Sequence, residues 1–292
     1  MTGEKGGGTM MEPGTKDAVT AQVRDFYEQL PFNFYGSAED AARHVRDNPI
    51  RAYPDLDEVL SNDGIAEVLE LGCGAGWATN AMALAYGKRV TAVDMTEMAL
   101  ARAAEVSRLN GTADRTGFVR SDLFDFDPGR CFDLVVSIGV LHHTPDCAGA
   151  FARACRLVAP DGFLFVGLYH IYGRRAFLSH VRTILAAEGE DAAFARFATL
   201  SPDRTDATHL RSWFRDQVLH PQETQHSLEE VLGWLDDAGL TLVATSINGY
   251  GDTQDRVGLV ALEKTFEALS DRRNRVEGRF FPGFFTVLAH RV

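Results

Sequence analysis

Short apolar runs alternate with longer amphipathic ones along most of this chain, and the alternation governs how the rest is read. Ile65-Ala66, Val68-Leu69 and Leu71 make a nearly continuous apolar run, interrupted by Glu67 and closed around Glu70. A strand buried on both faces reads this way. Comparable runs follow at Val90–Val93, Gly117–Arg120, Phe132–Ser137, Phe163–Tyr169, Leu240–Ile247 and Phe284–Ala289. Helical spacing marks Ala78–Tyr86, Ala99–Leu109, Ala148–Val158, Arg256–Leu269 and a helix through Asp237 with Ser227 as its N-cap. Strands interleaved with helices in this order predict an α/β fold, a seven-stranded, mostly parallel, doubly wound sheet. Its core covers residues 61–170 and is completed by 226–292.

Three stretches lie outside that rhythm. Residues 1–16 are rich in Gly and Thr, with Gly6-Gly7-Gly8, and are expected to be a disordered tail. Residues 17–60 carry three amphipathic helices, the first marked by Val19, Val23, Phe26, Tyr27 and Leu30, the others over Ala38–Arg46 and Asp55–Leu60. Phe32, Phe34 and Tyr35 between them read either as core packing or as a lid that closes over a bound ligand. Residues 171–225 read as a helical cap inserted over the strand ends, with helices at Ala176–Leu185 and Asp191–Leu200 and a break at Ser201-Pro202-Asp203.

Chemistry enters where the first strand meets Gly72-Cys73-Gly74-Ala75-Gly76. Glycines there permit a sharp turn and let a ligand approach backbone N–H groups. The second strand ends in Asp94, about two dozen residues after Glu70, where an acid is placed to hold the two hydroxyls of a ribose. Glu70, Asp94, Asp122, His142 and Tyr169 all fall at carboxyl ends of strands, the edge where open α/β sheets bind ligands.

The run E-x-G-x-G-x-G over Glu70–Gly76 resembles the first motif of class I S-adenosylmethionine-dependent methyltransferases of the small-molecule type. Leu141-His142-His143-Thr144-Pro145-Asp146 looks like their fourth motif, and no N/D-P-P-Y/F signature of nucleic-acid amino methyltransferases stands there. The resemblance is specific over Ile65–Tyr169 and implies the Rossmann-like methyltransferase fold with an antiparallel last strand. It implies S-adenosyl-L-methionine as cofactor. Gly72, Cys73, Gly74 and Gly76 would face its amino-acid and sugar parts and Asp94 its ribose, with Glu70 and Met95 among the cofactor-binding residues. Asp122 and Leu123 match the adenine positions, Asp125 being read as a solvated loop acid, and Ser137 ends the fourth strand near the cofactor. Gly167–Arg174 and His220–Gly239 are similar to segments of a loosely defined set of bacterial methyltransferases. The function implied is methyl transfer to oxygen, nitrogen or carbon of a small molecule, in bacterial specialised metabolism. The alternatives are a rearrangement or cyclisation that uses the bound cofactor without transfer, and a protein acceptor.

Composition narrows this further. The chain has 292 residues, 45% hydrophobic and 24% charged, with 41 acidic against 29 basic residues and a net charge of −12. No clustered cations point to nucleic acid, and no apolar run has membrane length. An acidic protein with aromatic residues near its site points to an uncharged or hydrophobic acceptor. Cys73, Cys131, Cys147 and Cys155 show neither C-x-x-C nor zinc spacing, so reduced thiols and a cytoplasmic location are expected. His142, His143 and Asp146 are adjacent in a turn and rarely converge on one ion, so no metal is expected. The N-terminal helices and cap would serve a homodimer as readily as a lid.

Methyl transfer from a sulfonium needs alignment of the acceptor and exclusion of water, and a base only when the acceptor is protonated. His142, His143 and His170 are the candidate bases, each equally readable as a histidine satisfied by a backbone carbonyl. Tyr169 and Tyr172 either orient the acceptor or pack beneath the cap, and Phe34, Tyr35 and Tyr172 are the candidate acceptor contacts.

Overall fold

A computed structural model of the chain describes residues 15–47 and 50–292. The tail expected over residues 1–16 lies, as far as residue 14, outside the described residues. The seven strands are β1 (Glu67–Leu71), β2 (Arg89–Asp94), β3 (Thr116–Arg120), β4 (Phe132–Ile138), β5 (Val158–Tyr169), β6 (Thr241–Thr245) and β7 (Phe284–His290). They form one sheet in the order β3-β2-β1-β4-β5-β7-β6, in which only β7 runs antiparallel to its neighbours. The direction of winding reverses between β1 and β4, so their carboxyl ends flank the crevice in which such sheets take ligands.

Among the described residues twelve α-helices surround the sheet: α1 (Lys16–Gln29), α2 (Ala38–Asp47), α3 (Pro54–Leu60), α4 (Trp77–Tyr86), α5 (Glu97–Leu109), α6 (Cys147–Arg156), α7 (Ile171–Glu188), α8 (Glu190–Leu200), α9 (Ala207–Phe214), α10 (Leu228–Ala238), α11 (Arg256–Glu263) and α12 (Phe266–Asp271). Apolar side chains on both faces of the sheet make two buried clusters, one with Leu69, Val135 and Phe285, the other with Val68, Leu134 and Phe165. That double burial explains why β1 and β4 read as continuous apolar runs rather than alternating ones. Ser227 caps α10 with a reciprocal bond to Glu230, and Gly239 closes the helix in the left-handed conformation.

Three elements depart from the sequence reading. The fifth strand, expected from Phe163, begins earlier as β5, which already pairs through Val158 with Phe132, and Pro160-Asp161-Gly162 is an irregularity inside it. The register shifts before Leu134 meets Phe163, and Asp161 takes a left-handed φ of 58°. The single helix expected over Arg256–Leu269 breaks between α11 and α12, after Glu263, whose side chain is fully buried. The cap also contains α9, which no sequence signal marked, followed by a π-helical turn over Arg215–Leu219. Phe177, Phe197 and Phe214 give the cap a small core of its own, and α12 packs on α7 from the far end of the chain. Each such ring, fully buried, contributes roughly 1.5–3 kcal/mol. No helix among the described residues is long and apolar enough to cross a membrane.

Candidate functional site

The chain leaves β1 through the glycine turn, which is stitched to β2. The N–H groups of Gly72 and Cys73 donate to the Val93 carbonyl at 2.8 and 3.0 Å, and Gly74 N–H donates to Asp94 Oδ2 at 2.9 Å. Gly72 and Gly74 have φ of 75° and 50°, a region that side chains disfavour. A Cβ on Gly72 would collide with Val140, whereas one on Gly74 would meet nothing within 4 Å. Gly74 thus presents bare backbone to a cavity of about 970 Å³, large for a single ligand site.

Glu70, Gly72, Cys73, Gly74, Asp94, Met95, Asp122 and Leu123 all line that cavity. Glu70 is almost wholly buried and accepts from the Thr79 hydroxyl on α4. Burial, only partly offset by that bond, pushes its carboxyl from an ordinary 4.5 to about 8. Asp94 accepts from Gly74 N–H, from Thr96 N–H at 2.9 Å and from the Thr96 hydroxyl at 2.6 Å. Its pKa is also raised, chiefly by desolvation, against the pull of those donors. Asp122 Oδ1 accepts from Phe124 N–H at 2.8 Å, which fixes the loop after β3. Gly76 and Ser137 do not line the cavity. Gly76 caps α4, and the buried Ser137 hydroxyl donates to the Leu71 carbonyl at 3.1 Å, tying β4 to β1.

The four candidate acid–base residues separate. His143 lines the cavity. Its Nδ1 donates to the Gln222 carbonyl at 2.7 Å, leaving Nε2 as a lone pair 3.8 Å from Asp216 Oδ1. Burial lowers its pKa, and Asp216 works against that shift. His142 and Tyr169 lie behind it and off the cavity wall. His142 Nδ1 accepts from Tyr169 N–H at 3.3 Å, and the Tyr169 hydroxyl donates to Asp216 Oδ2 at 3.1 Å. His170, fully buried, donates through Nε2 to Glu263 Oε2 at 3.0 Å. The same carboxylate accepts from Leu228 N–H at 2.6 Å, so this histidine anchors the start of α10 and does not face the cavity. Of the acceptor candidates Tyr35 lines the cavity, stacked on His209 with ring centroids 4.1 Å apart. Phe34 lies under the Arg102 guanidinium and Tyr172 beside His170, both away from the cavity.

Around His143 the fold assembles residues that sequence reasoning missed. Asp216 accepts from the Tyr27 hydroxyl at 2.6 Å, the Tyr169 hydroxyl and Gln217 Nε2 at 2.8 Å. Arg174 sits 3.7 Å over the Tyr169 ring and pairs with Glu223. His143, Asp216 and His220 each bring a ligating atom within 4.8 Å of the others, a geometry that invites comparison with a metal centre. His220 Nδ1, however, accepts from Gln222 N–H at 3.1 Å, so the proton of the neutral ring is on Nε2. That protonated Nε2 does not suit a metal ligand, which needs the nitrogen bare. Tyr27 was visible only as an apolar helix position, and Asp216 is recruited by the unmarked π-helical turn.

Comparison with known proteins agrees with this geometry. Residues 69–166 match the family model described as "Methyltransferase domain". An uncharacterised protein of Synechococcus sp. is 30% identical over 254 residues, 79% of this chain and 61% of that protein. A ubiquinone biosynthesis O-methyltransferase of Aromatoleum aromaticum is 32% identical over 178 residues, 59% of this chain and 70% of the enzyme. Among solved structures, PKMT2 from Rickettsia typhi in complex with AdoHcy shares the fold with a TM-score of 0.58 at 16% identity, over 81% of this chain and 52% of that one. With the sheet order, the glycine turn beside Asp94 and these relatives together, the chain belongs to the class I S-adenosylmethionine-dependent methyltransferases.

Proposed function

We propose that the protein transfers a methyl group from S-adenosylmethionine to an oxygen of a small-molecule acceptor, with His143 as the base. The cavity wall suits the cofactor in its chemistry. Bare backbone at Gly74 gives a close approach, Asp94 offers a carboxylate to a ribose diol, and Asp122 with Leu123 offers an acceptor and an apolar surface to a purine. When bound, the cofactor supplies a methyl group on a sulfonium that is already a good leaving group.

The chain's own part is alignment, exclusion of water and removal of one proton. The observation that carries the oxygen reading is the fixed tautomer of His143. Its Nδ1 is committed to the Gln222 carbonyl, so Nε2, buried and without a hydrogen-bond partner, is an unprotonated acceptor on a residue of the cavity wall. The proton of an acceptor O–H passes to Nε2, and the imidazolium so formed is stabilised by Asp216 at 3.8 Å. An amine or carbanion acceptor would not need that arrangement. The Aromatoleum relative, an O-methyltransferase of ubiquinone biosynthesis, supports the same reading.

The test is transfer of isotope-labelled methyl from S-adenosylmethionine to a panel of phenols and alcohols. Label expected in an ether product, lost in His143→Gln, supports the proposal. A converted acceptor without label would indicate rearrangement, and label on nitrogen or carbon would rule out the oxygen reading.

A further inference from the structure

Part of the cavity wall comes not from the strand ends but from the N-terminal helices and from residues 203–213, whose chemistry the methyl-transfer reading does not use. Arg204 is the unusual group there. Its guanidinium carbon lies 3.8 Å from the Trp213 ring centroid and 5.2 Å from that of Phe280, packed into the corner those two edge-on rings make. It makes no side-chain hydrogen bond or ion pair among the described residues, and its Nε is buried without an acceptor. One buried donor, Nε–H, is thus held at the cavity without an acceptor, on a guanidinium fork that no side chain among the described residues pairs. A buried donor left unsatisfied costs about 1–3 kcal/mol, more when charged.

We propose that this lobe is a carboxylate-binding subsite and that Arg204 determines specificity for an acceptor that is a small aromatic acid. The inference rests on the acceptor reading above. Three observations select that class. A guanidinium fork matches a planar carboxylate through two parallel N–H···O bonds. The surrounding charges favour one negative charge over two. Arg43, the other arginine on the wall, is paired with Asp40, while Asp206 is engaged as the cap of α9 and Asp47 and Asp203 are exposed acids. A dianionic phosphate would meet one free cation among these carboxylates. The third is shape. Tyr35 stacked on His209, with Phe32 against Trp213 at 4.6 Å, gives flat walls suited to a ring. Asn33 holds these walls in place. Its Oδ1 accepts from His209 Nε2 at 2.7 Å and from Trp213 Nε1 at 3.1 Å. The expectation of an uncharged acceptor, drawn from overall acidity, took no account of one unpaired arginine.

The experiment is calorimetric titration of the full chain, with and without S-adenosylhomocysteine, using benzoate, phenylacetate and cinnamate, each against its primary amide. At least one acid is expected to bind about tenfold or more tightly than its amide, the scale of a charge-assisted bidentate pair. Arg204→Met should abolish that preference and leave S-adenosylhomocysteine binding unchanged, and Arg204→Lys should restore part of it. Equal binding of acids and amides, no binding of any acid, or a preference that survives Arg204→Met would overturn the subsite. Absence of S-adenosylhomocysteine binding to wild type would count against the methyltransferase reading instead, and the acid–amide comparison without it would still decide the role of Arg204.

Discussion

His143 Nε2 stands 3.8 Å from Asp216 Oδ1 in a fully buried setting, beyond hydrogen-bond range but close enough for strong charge interaction. The neutral ring therefore has an open lone pair, and the protonated ring has a counterion. Asp216 is held for this purpose by Tyr27 from α1, Tyr169 from β5 and Gln217 beside it. Three separate parts of the chain thus meet at one carboxylate.

Replacing His143 by Gln should lower kcat by about 10²–10⁴-fold, the usual contribution of a positioned base, with S-adenosylhomocysteine affinity unchanged. Burial depresses the His143 pKa below 6.5, so the working neutral form persists through neutrality. Wild-type kcat/KM should be level near pH 7 and fall only as pH drops through that lowered value. A pH–rate profile reads this directly, and an acid limb retained in His143→Gln would show that another group titrates.

Asp216→Asn should move the acid limb to still lower pH, because the carboxylate is what raises the proton affinity of His143. The rate should fall by about tenfold or more through the lost counterion. With the amide oxygen at the Oδ2 place, Tyr169 and Gln217 keep their acceptor while the Tyr27 hydroxyl loses its own, so thermal stability should also fall, by about 1–3 kcal/mol.

Glu70 gives a stability signature. Its folded pKa of about 8 lies above the ordinary 4.5, so between those values the folded chain holds a proton that the unfolded chain has released. Stability should therefore fall as pH rises from about 4.5 to about 8, by a contribution on the order of 5 kcal/mol at most. Glu70→Gln should flatten that slope in denaturant melts of the ligand-free protein. A slope unchanged by the substitution would mean that the carboxyl is already charged when buried.

His170→Ala should cost about 2–4 kcal/mol of stability, because it removes a buried ring and leaves Glu263 without one of its donors. Cofactor affinity should be unaffected, since His170 faces α10 and not the cavity. Urea unfolding and calorimetry on one sample separate the two effects.

The part of the cavity wall at the strand ends was legible because it is local. Glu70, Gly72, Gly74, Asp94, Asp122 and Leu123 sit at strand ends, and strand ends can be read from apolar runs. Ser137 was misplaced for a related reason. It ends the right strand, but its alternating side points back to Leu71. Three of the four acid–base candidates, His142, Tyr169 and His170, fell off the cavity wall because a side chain at a strand end can turn either way, and only packing decides. Asp216 and Arg204 left no trace, since each acquires meaning from distant partners. Tyr27 and Asp216 lie 189 positions apart, and Arg204 is notable for the Trp213 and Phe280 rings it packs against and for a buried Nε without an acceptor.

The cofactor cradle is tested most directly by calorimetric titration of S-adenosylhomocysteine into wild type and Asp94→Ala. Saturable one-to-one binding to wild type is expected, weakened about a hundredfold or more by the substitution, which removes a ribose acceptor and frees Gly74 N–H. Equal binding by both proteins would contradict the placement of the ribose at Asp94, and no binding to folded wild type would contradict the cofactor assignment itself.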